Sequence, residues 1–449
     1  MTHVFHRHCH AELPTVSSGE GIYLFDTEGK KYLDGCGGAA VSNLGHSHAA
    51  VKKAIIEQVE SIPFAHTGFF TNKPSEELAT LLTDLAPDNL DHVYFVSGGS
   101  EAVESALKMA RQYFVESGKP EKTQFIARRQ SYHGNTLGAL AVGGNEWRKE
   151  KFRPLLAEVE HISPCYAYRD QRENETELAY SHRVADELES KILAMGAENV
   201  MAFVAEPVVG ATAGALPATT GYFKRIREIC DKYDVLLILD EVMCGIGRTG
   251  TFYAFEQDQI VPDLVTIAKG LGAGYQPIGA VVVSNKIYDA IANGSGFFQH
   301  GHTFMAHPIA CASALATIKT ILSENLLEKV VSQGEKLRTK LKEALSPLDY
   351  VGDIRGRGLF IGVELVADKL TKAPLPASTE ANKVVKQLAM KHGLMCYPMA
   401  GTINGREGHH ILLAPPFIIN DEQLDELVSK LKTALIEAAD DWTKDGWTK

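Results

Sequence analysis

The chain has 449 residues, enough for two or more domains with a sizeable core, and its 56 acidic against 45 basic residues give a net charge of −11. Hydrophobic residues make up 45% and charged residues 22%, an ordinary balance for a globular soluble chain. The acidic total argues against a nucleic-acid binder, which needs a basic face. The seven cysteines are scattered with no C-x-x-C, as expected of reduced thiols in a cytoplasmic protein. The opening MTHVFHRHCH is polar and no apolar run reaches ~18 residues, so neither a signal peptide nor a membrane span is expected.

In chain order, His3, His6, His8, Cys9 and His10 resemble a metal cluster, but zinc sites draw ligand pairs from separated segments, so a solvated arm and no metal is the expectation. Residues 20–34 predict a hairpin turning at Thr27-Glu28-Gly29. A glycine-rich loop, CGGAAVSNLGHSH, follows, and then two amphipathic helices, AAVKKAIIEQVESI and SEELATLLTDLA. HVYFV is a strand running into Ser97-Gly98-Gly99-Ser100 and a helix. Glycines there allow close backbone approach, Ser100 is placed to cap the helix, and its free N–H groups would cradle a phosphate.

TQFIARRQSYHGNT predicts a strand ending at Tyr132-His133-Gly134, and VMAFVAEPVVG a strand ending at Glu206-Pro207. After the helix GYFKRIREICDKYD comes VLLILDEVMCGIGRTG, five apolar residues ending in Asp240-Glu241. The run is too short for a helix and reads as a strand buried on both faces. Its acids fall where open α/β sheets place their ligands. LVTIAKGLGAG repeats the design with Lys269 after the strand. An acid and a lysine at the ends of two buried strands are the pair that pyridoxal phosphate (PLP) needs, one to hold its ring nitrogen protonated and one to tether its aldehyde.

Two rivals compete for this stretch. Apolar residues before Asp-Glu also describe a Walker B strand, but neither Lys30 nor Lys119, the lysines that follow glycine, is followed by Ser or Thr. Gly245-x-Gly247-x-x-Gly250 spells a dinucleotide fingerprint, yet Pro262 soon breaks the segment that should be a long helix. From about 92 to 285 strand and helix alternate, the signature of a doubly covered, largely parallel sheet. A loop with Thr303 and long helical periodicity lead to a second lobe from about 350, with strands and helices of a smaller α+β domain. Arg355 and Arg357, in RGRG, fit a turn better than an RNA contact.

The ordered motifs SGGSEA, SYHG, AEPV, LILDEV-x-C-G-x-G-R-T-G, AKGLGAGYQPIGA and GHTF-x-x-HP resemble those of the class III aminotransferases of PLP fold type I, over nearly the whole chain. That resemblance implies an α/β fold with a PLP-binding domain at 61–320, and with residues 1–60 joining a small domain at 321–449. It implies that Lys269 carries the cofactor and shuttles a proton, and that Asp240 pairs with the ring nitrogen. Val242 and Tyr132 would flank the ring, with His133 beside them, and Gly99 and Ser100 would bind the phosphate. Glu241 would support the cofactor's surroundings. Thr303 would reach the phosphate of a neighbouring subunit, making a homodimer that could pair further into a tetramer. Glu206 matches a glutamate that pairs with a mobile arginine, and Arg406 resembles that arginine in the ω-amine:pyruvate branch. Ala40 stands where that branch often has tryptophan, implying a pocket of different shape. The expected reaction moves an amino group from an ω-amino acid or amine to a 2-oxo acid, pyruvate first. The alternatives are a 2-oxoglutarate-dependent relative of the aminobutyrate or ornithine type, or a decarboxylase, mutase or racemase of the same fold.

Overall fold

The structure is a computed structural model and describes residues 3–444. The chain enters through a meander of β1 (Val16–Glu20), β2 (Tyr23–Asp26) and β3 (Lys31–Asp34). Asp26 closes the second turn by accepting from the amides of Glu28 and Lys30 at 3.0 and 2.9 Å, with Gly29 in the left-handed region at φ 81°. The two amphipathic helices form as α1 (Ala49–Ser61) and α2 (Lys73–Asp84). Asn72 caps α2 by accepting from Ser75 N at 3.0 Å.

The alternating region yields β4 (Leu90–Val96), α3 (Gly99–Glu116), β5 (Gln124–Arg128), β6 (Glu160–Ile162), α4 (Glu177–Met195), β7 (Val200–Ala205), α5 (Tyr222–Lys232), β8 (Leu236–Asp240), β9 (Leu264–Ile267) and β10 (Gly279–Ser284). The strands form one seven-stranded sheet in the order β4-β10-β9-β8-β7-β5-β6. Strand β10 runs antiparallel to both neighbours and the remaining pairings are parallel.

Strand β8 lies at the centre and explains its own composition. Leu236 and Ile238 pack with Val103, Ala106 and Ala110 of α3, while Leu237 and Leu239 face a second cluster with Phe223, Ile226 and Ile229 of α5. A strand covered on both faces has no solvent side, so the run carries no polar alternation. Each such side chain contributes about 1.5–3 kcal/mol relative to exposure. The first residue that breaks the run, Asp240, is thereby fixed at the carboxyl edge of the middle strand. The segment after Gly250 forms only a short turn, Ala254–Asp258, which bears out the glycine-rich loop over the dinucleotide fingerprint.

Beyond β10, α6 (Pro308–Ser323) and α7 (Leu326–Leu345) lead to β11 (Val351–Arg357), β12 (Phe360–Asp368), α8 (Ala381–Lys391), β13 (Leu394–Met395), β14 (Tyr397–Ala400), β15 (His409–Leu413) and α9 (Asp421–Lys444). The sheet here runs β11-β12-β15-β14, and β13 pairs in parallel with β3, joining the N-terminal meander to the C-terminal elements. IRGRGLFIGVELV is a hairpin rather than one strand, turning at Gly358 with φ 55°. Arg355 and Arg357 lie in β11 and are engaged by carboxylates, Arg355 by Asp353 and Glu364 and Arg357 by Asp258. No helix among the described residues is long and apolar enough to cross a membrane.

Candidate active site

At the carboxyl edge of the large sheet lies a cavity of about 390 Å³ whose wall includes Gly99, Ser100, Tyr132, His133, Asp240, Val242 and Lys269. Asp240 is 4% exposed. Its Oδ1 accepts from Val242 N at 3.0 Å and its Oδ2 from His133 Nδ1 at 2.8 Å. A carboxylate only accepts, so this contact places a proton on Nδ1, and the other ring nitrogen is Nε2. That Nε2 is buried and has no partner among the described residues.

Lys269 opens the tight turn Lys269–Leu271 just past β9, in the left-handed region at φ 46°. A non-glycine residue there is strained by about 1–3 kcal/mol, which the surrounding fold sustains. Burial drives the Lys269 amine below its ordinary pKa, and the Asp240 carboxylate pulls it partly back. The amine is thus closer to its neutral, nucleophilic form than a surface lysine.

The turn before α3 makes the opposite wall. The helix is capped by the backbone of Gly98, not by a side chain. Ser100 therefore does not cap, because its Oγ accepts from Asn135 N at 3.0 Å and ties the helix to the loop of residues 129–136. The approach is close: a Cβ at Gly134 would lie 2.6 Å from Ser100 Oγ, and one at Gly99 2.8 Å from Val242 Cγ1. Tyr132 and His133 sit on that loop, beyond the end of β5 at Arg128.

Glu206, just past β7, is 4% exposed and accepts from Tyr132 N at 3.0 Å and Gly210 N at 2.8 Å. Burial pushes its pKa up to about 7, against the pull of His133 and the two amides, with the Asp240 charge adding to the rise. Glu241 faces away from the cavity. Its two oxygens each accept at 2.7 Å, from Ala254 N and Phe255 N, and burial pushes its pKa up to about 8.

Three expected residues stand apart from the cavity wall. Arg406 lies on the loop between β14 and β15, its side chain 70% exposed, 3.6 Å from Glu150 Oε2 and not on Glu206. Ala40 is buried among Val208, Ala211 and Ala414, and Val41 takes the lining position instead. Thr303 is exposed on the loop before α6.

Sequence reasoning passed over Gln130. Its Nε2 donates to Gly401 O, Thr402 O and Thr212 O at 2.6, 2.9 and 3.2 Å, joining the Tyr132 loop to the root of the Arg406 loop. It also passed over Met243 and the segment Gln276-Pro277-Ile278, which complete the wall. No periodicity marks such loop positions. Their only signal is nearness in sequence to the strand ends.

A buried acid at the end of the central strand, a lysine one strand over and a glycine turn opening a helix define a PLP enzyme of the fold type I class. The donor set fits that cofactor: an amine lowered toward neutrality, a fixed carboxylate, and backbone that Gly99 lets approach without a side chain. The chain belongs to the class III aminotransferases, whose family profile matches residues 5–435. It is 44% identical to an uncharacterized aminotransferase of Schizosaccharomyces pombe, over 94% of this chain and 92% of that one. A γ-aminobutyrate transaminase of Solanum lycopersicum is 37% identical over 94% of this chain and 80% of its own length. A putrescine–pyruvate aminotransferase of Pseudomonas aeruginosa is 36% identical over 94% and 91%. Among solved structures, an (S)-enantioselective ω-transaminase of Thermomicrobium roseum superposes with a TM-score of 0.90 at 36% identity, covering 96% of this chain and 94% of that one. The protein is a PLP-dependent aminotransferase acting on amine and keto-acid substrates.

Proposed function

We propose that this enzyme moves the terminal amino group of an ω-amino acid or primary amine to a 2-oxo acid, pyruvate by preference, with donor and acceptor taking turns in one cavity. Bound PLP supplies an aldehyde that receives the amino group and a ring that withdraws electrons from the reacting carbon. Lys269 Nζ would tether the cofactor, and its amine, lowered toward the neutral form by burial, would take the proton from the amine-bearing carbon. The Asp240 carboxylate keeps a positive charge on the ring nitrogen, and the His133 Nδ1–H holds that carboxylate in place. Tyr132 and Val242, both on the cavity wall, would flank the ring, and the amides of Gly99 and Ser100 at the start of α3 would hold the phosphate.

The observation that carries the substrate reading is the placement of Arg406. Its only ion pair among the described residues is the exposed one with Glu150, a kind worth about 0–1 kcal/mol. The root of its loop is nevertheless fixed beside Tyr132 by Gln130. Such a guanidinium can close bidentately on an α-carboxylate and withdraw when an uncharged amine enters. Each Glu206 oxygen keeps a second lone pair with which to receive it. The name of the Pseudomonas relative supports pyruvate as the acceptor.

Two further parts complete the proposal. Residues 61–320 carry the cofactor, while residues 1–60 join 321–449 in a smaller domain, supported by the β3–β13 pairing. The active unit is a homodimer in which the exposed Thr303 reaches the partner's phosphate site.

The test is single-turnover spectroscopy of the separate half-reactions. Pyruvate should restore the aldehyde form at least about tenfold faster than 2-oxoglutarate at equal concentration, one decade being about 1.4 kcal/mol of transition-state preference. The reverse ranking overturns the acceptor. Arg406→Ala should slow the 2-oxo-acid half-reaction far more than that of a neutral amine, and equal effects remove Arg406 from carboxylate binding.

A further inference from the structure

Beside Tyr132 stands a cation that the reaction as described does not use. Arg148 belongs to the short helix Glu146–Lys149, and its guanidinium carbon lies 4.6 Å from the centroid of the Tyr132 ring. No carboxylate or carbonyl among the described residues receives the Arg148 guanidinium, and the side chain is half-buried. The neighbouring acids are already engaged: Glu146 pairs with Arg153, and Glu150 faces Arg406. Lys149 turns inward onto the carbonyls of Ala141 and Gly143, each at 3.0 Å. Arg7 also acts electrostatically on the Tyr132 hydroxyl. A chain with a net charge of −11 therefore gathers unneutralised positive charge beside this wall of its cavity.

The chemistry of the contact matters. Stacking on an aromatic ring uses the face of a guanidinium. Its five N–H donors lie in the plane and stay available for a bidentate acceptor. The Arg406 loop rests on the same turn, so closely that a Cβ at Gly405 would lie 3.4 Å from Trp147 N. Two guanidiniums are thus carried on adjoining backbone, that of Arg406 exposed and that of Arg148 over Tyr132.

We infer that Arg148 is a specificity-determining residue that receives the distal carboxylate of an ω-amino acid donor, while Arg406 serves the α-carboxylate of the 2-oxo acid. This rests on the donor reading proposed above. Arg148 is not itself on the cavity wall but meets that wall through Tyr132, so of the groups on a donor only a carboxylate several carbons from the reacting one would extend to it. The residue therefore distinguishes donors by an anion at the far end, not by chain length alone.

The experiment compares 4-aminobutanoate and 5-aminopentanoate with butylamine and pentylamine, in single-turnover amine half-reactions of the holoenzyme. Arg148→Met should raise the half-saturating concentration of both amino acids about 10- to 100-fold, the range of a charge-assisted hydrogen bond. It should shift the alkylamines less than about threefold, two decades being the scale on which such a bond shows. Arg148→Lys keeps the charge but loses the fork, and should recover part of the amino-acid affinity. Equal losses on amino acids and alkylamines, or no loss on either, overturn the inference, the former leaving Arg148 as support for Tyr132. Wild-type reaction with alkylamines but not with the amino acids also overturns it, and leaves the amine-donor reading standing. Failure of the wild type with all four amines overturns that reading, and this inference with it.

Discussion

Asp240 has no freedom to turn: one oxygen is on the His133 ring and the other on the Val242 amide. Its charge is therefore aimed into the cavity without any reorganisation at the moment of reaction, the condition under which a fixed electrostatic group is worth most. Asp240→Asn keeps the shape and removes the charge, so amine transfer should slow by about 10³-fold or more. The same substitution should lower the Lys269 pKa further, because Asp240 is the group that raises it against burial. Rates of transfer, and the pH dependence of Lys269 acylation in the cofactor-free protein, read the two effects. A near wild-type rate would remove Asp240 from the ring nitrogen. Asp240 and Lys269 were legible in the sequence because each is the first charged residue after a strand buried on both faces. Ala40 missed the wall by one residue, since a loop with φ of 66° at Gly38 and 60° at Ala40 has no period from which a direction can be read. Arg148 was hidden inside the charged run EWRKEKFR, where nothing local separates a stacked arginine from a solvated one.

Loops 129–136 and 401–408 behave as one element because a single buried side chain joins them. Gln130 is 3% exposed and left-handed at φ 60°, and its amide serves three carbonyls on two other segments. Gln130→Met keeps the length and removes the donor. Leaving those carbonyls unpaired should destabilise the protein by about 1–3 kcal/mol, visible as a lower denaturant midpoint. It should also slow the 2-oxo-acid half-reaction more than the amine half-reaction, because the root of the Arg406 loop is loosened. A lower midpoint with both half-reactions changed alike would mean that the two loops act independently. At this scale the helices α1, α2 and α3 and the buried strands followed from spacing. The cap of α3 did not, because Ser100 had a better partner in Asn135 N, a tertiary contact that outranks local capping preference. The RGRG stretch expected as a turn does contain one, at Gly358, but Arg355 and Arg357 themselves lie in β11, which pairs with β12 right up to Arg357.

Across the whole molecule, pH divides the titrating groups into opposing sets. Burial holds His161, His300, His307, His409 and His410 below their ordinary value of 6.5. Below that pH the unfolded chain binds more protons at these sites than the folded one, so they favour folding progressively up to about pH 6.5 and add nothing more above it. Glu206 and Glu241, raised to about 7 and about 8, do the reverse. Between 4.5 and those values the folded state holds a proton that the unfolded state has released. Their contribution is complete below 4.5 and lost as pH rises through the folded pKa. Lys122, Lys149, Lys269 and Lys329, lowered by burial, pull the other way from the alkaline side, so one group is best isolated as a difference between wild type and variant. Glu241 is the one to choose, since it is not on the cavity wall and among the described residues its oxygens accept from Ala254 N and Phe255 N alone. The stability of wild type minus that of Glu241→Gln should fall by up to about 1.4 kcal/mol per pH unit as pH rises from 6.5 toward 8, in denaturant titrations of the cofactor-free protein. A difference that stays flat over that range would mean that the two amides already hold Glu241 ionised at its lower end, and that its burial is offset by them in full.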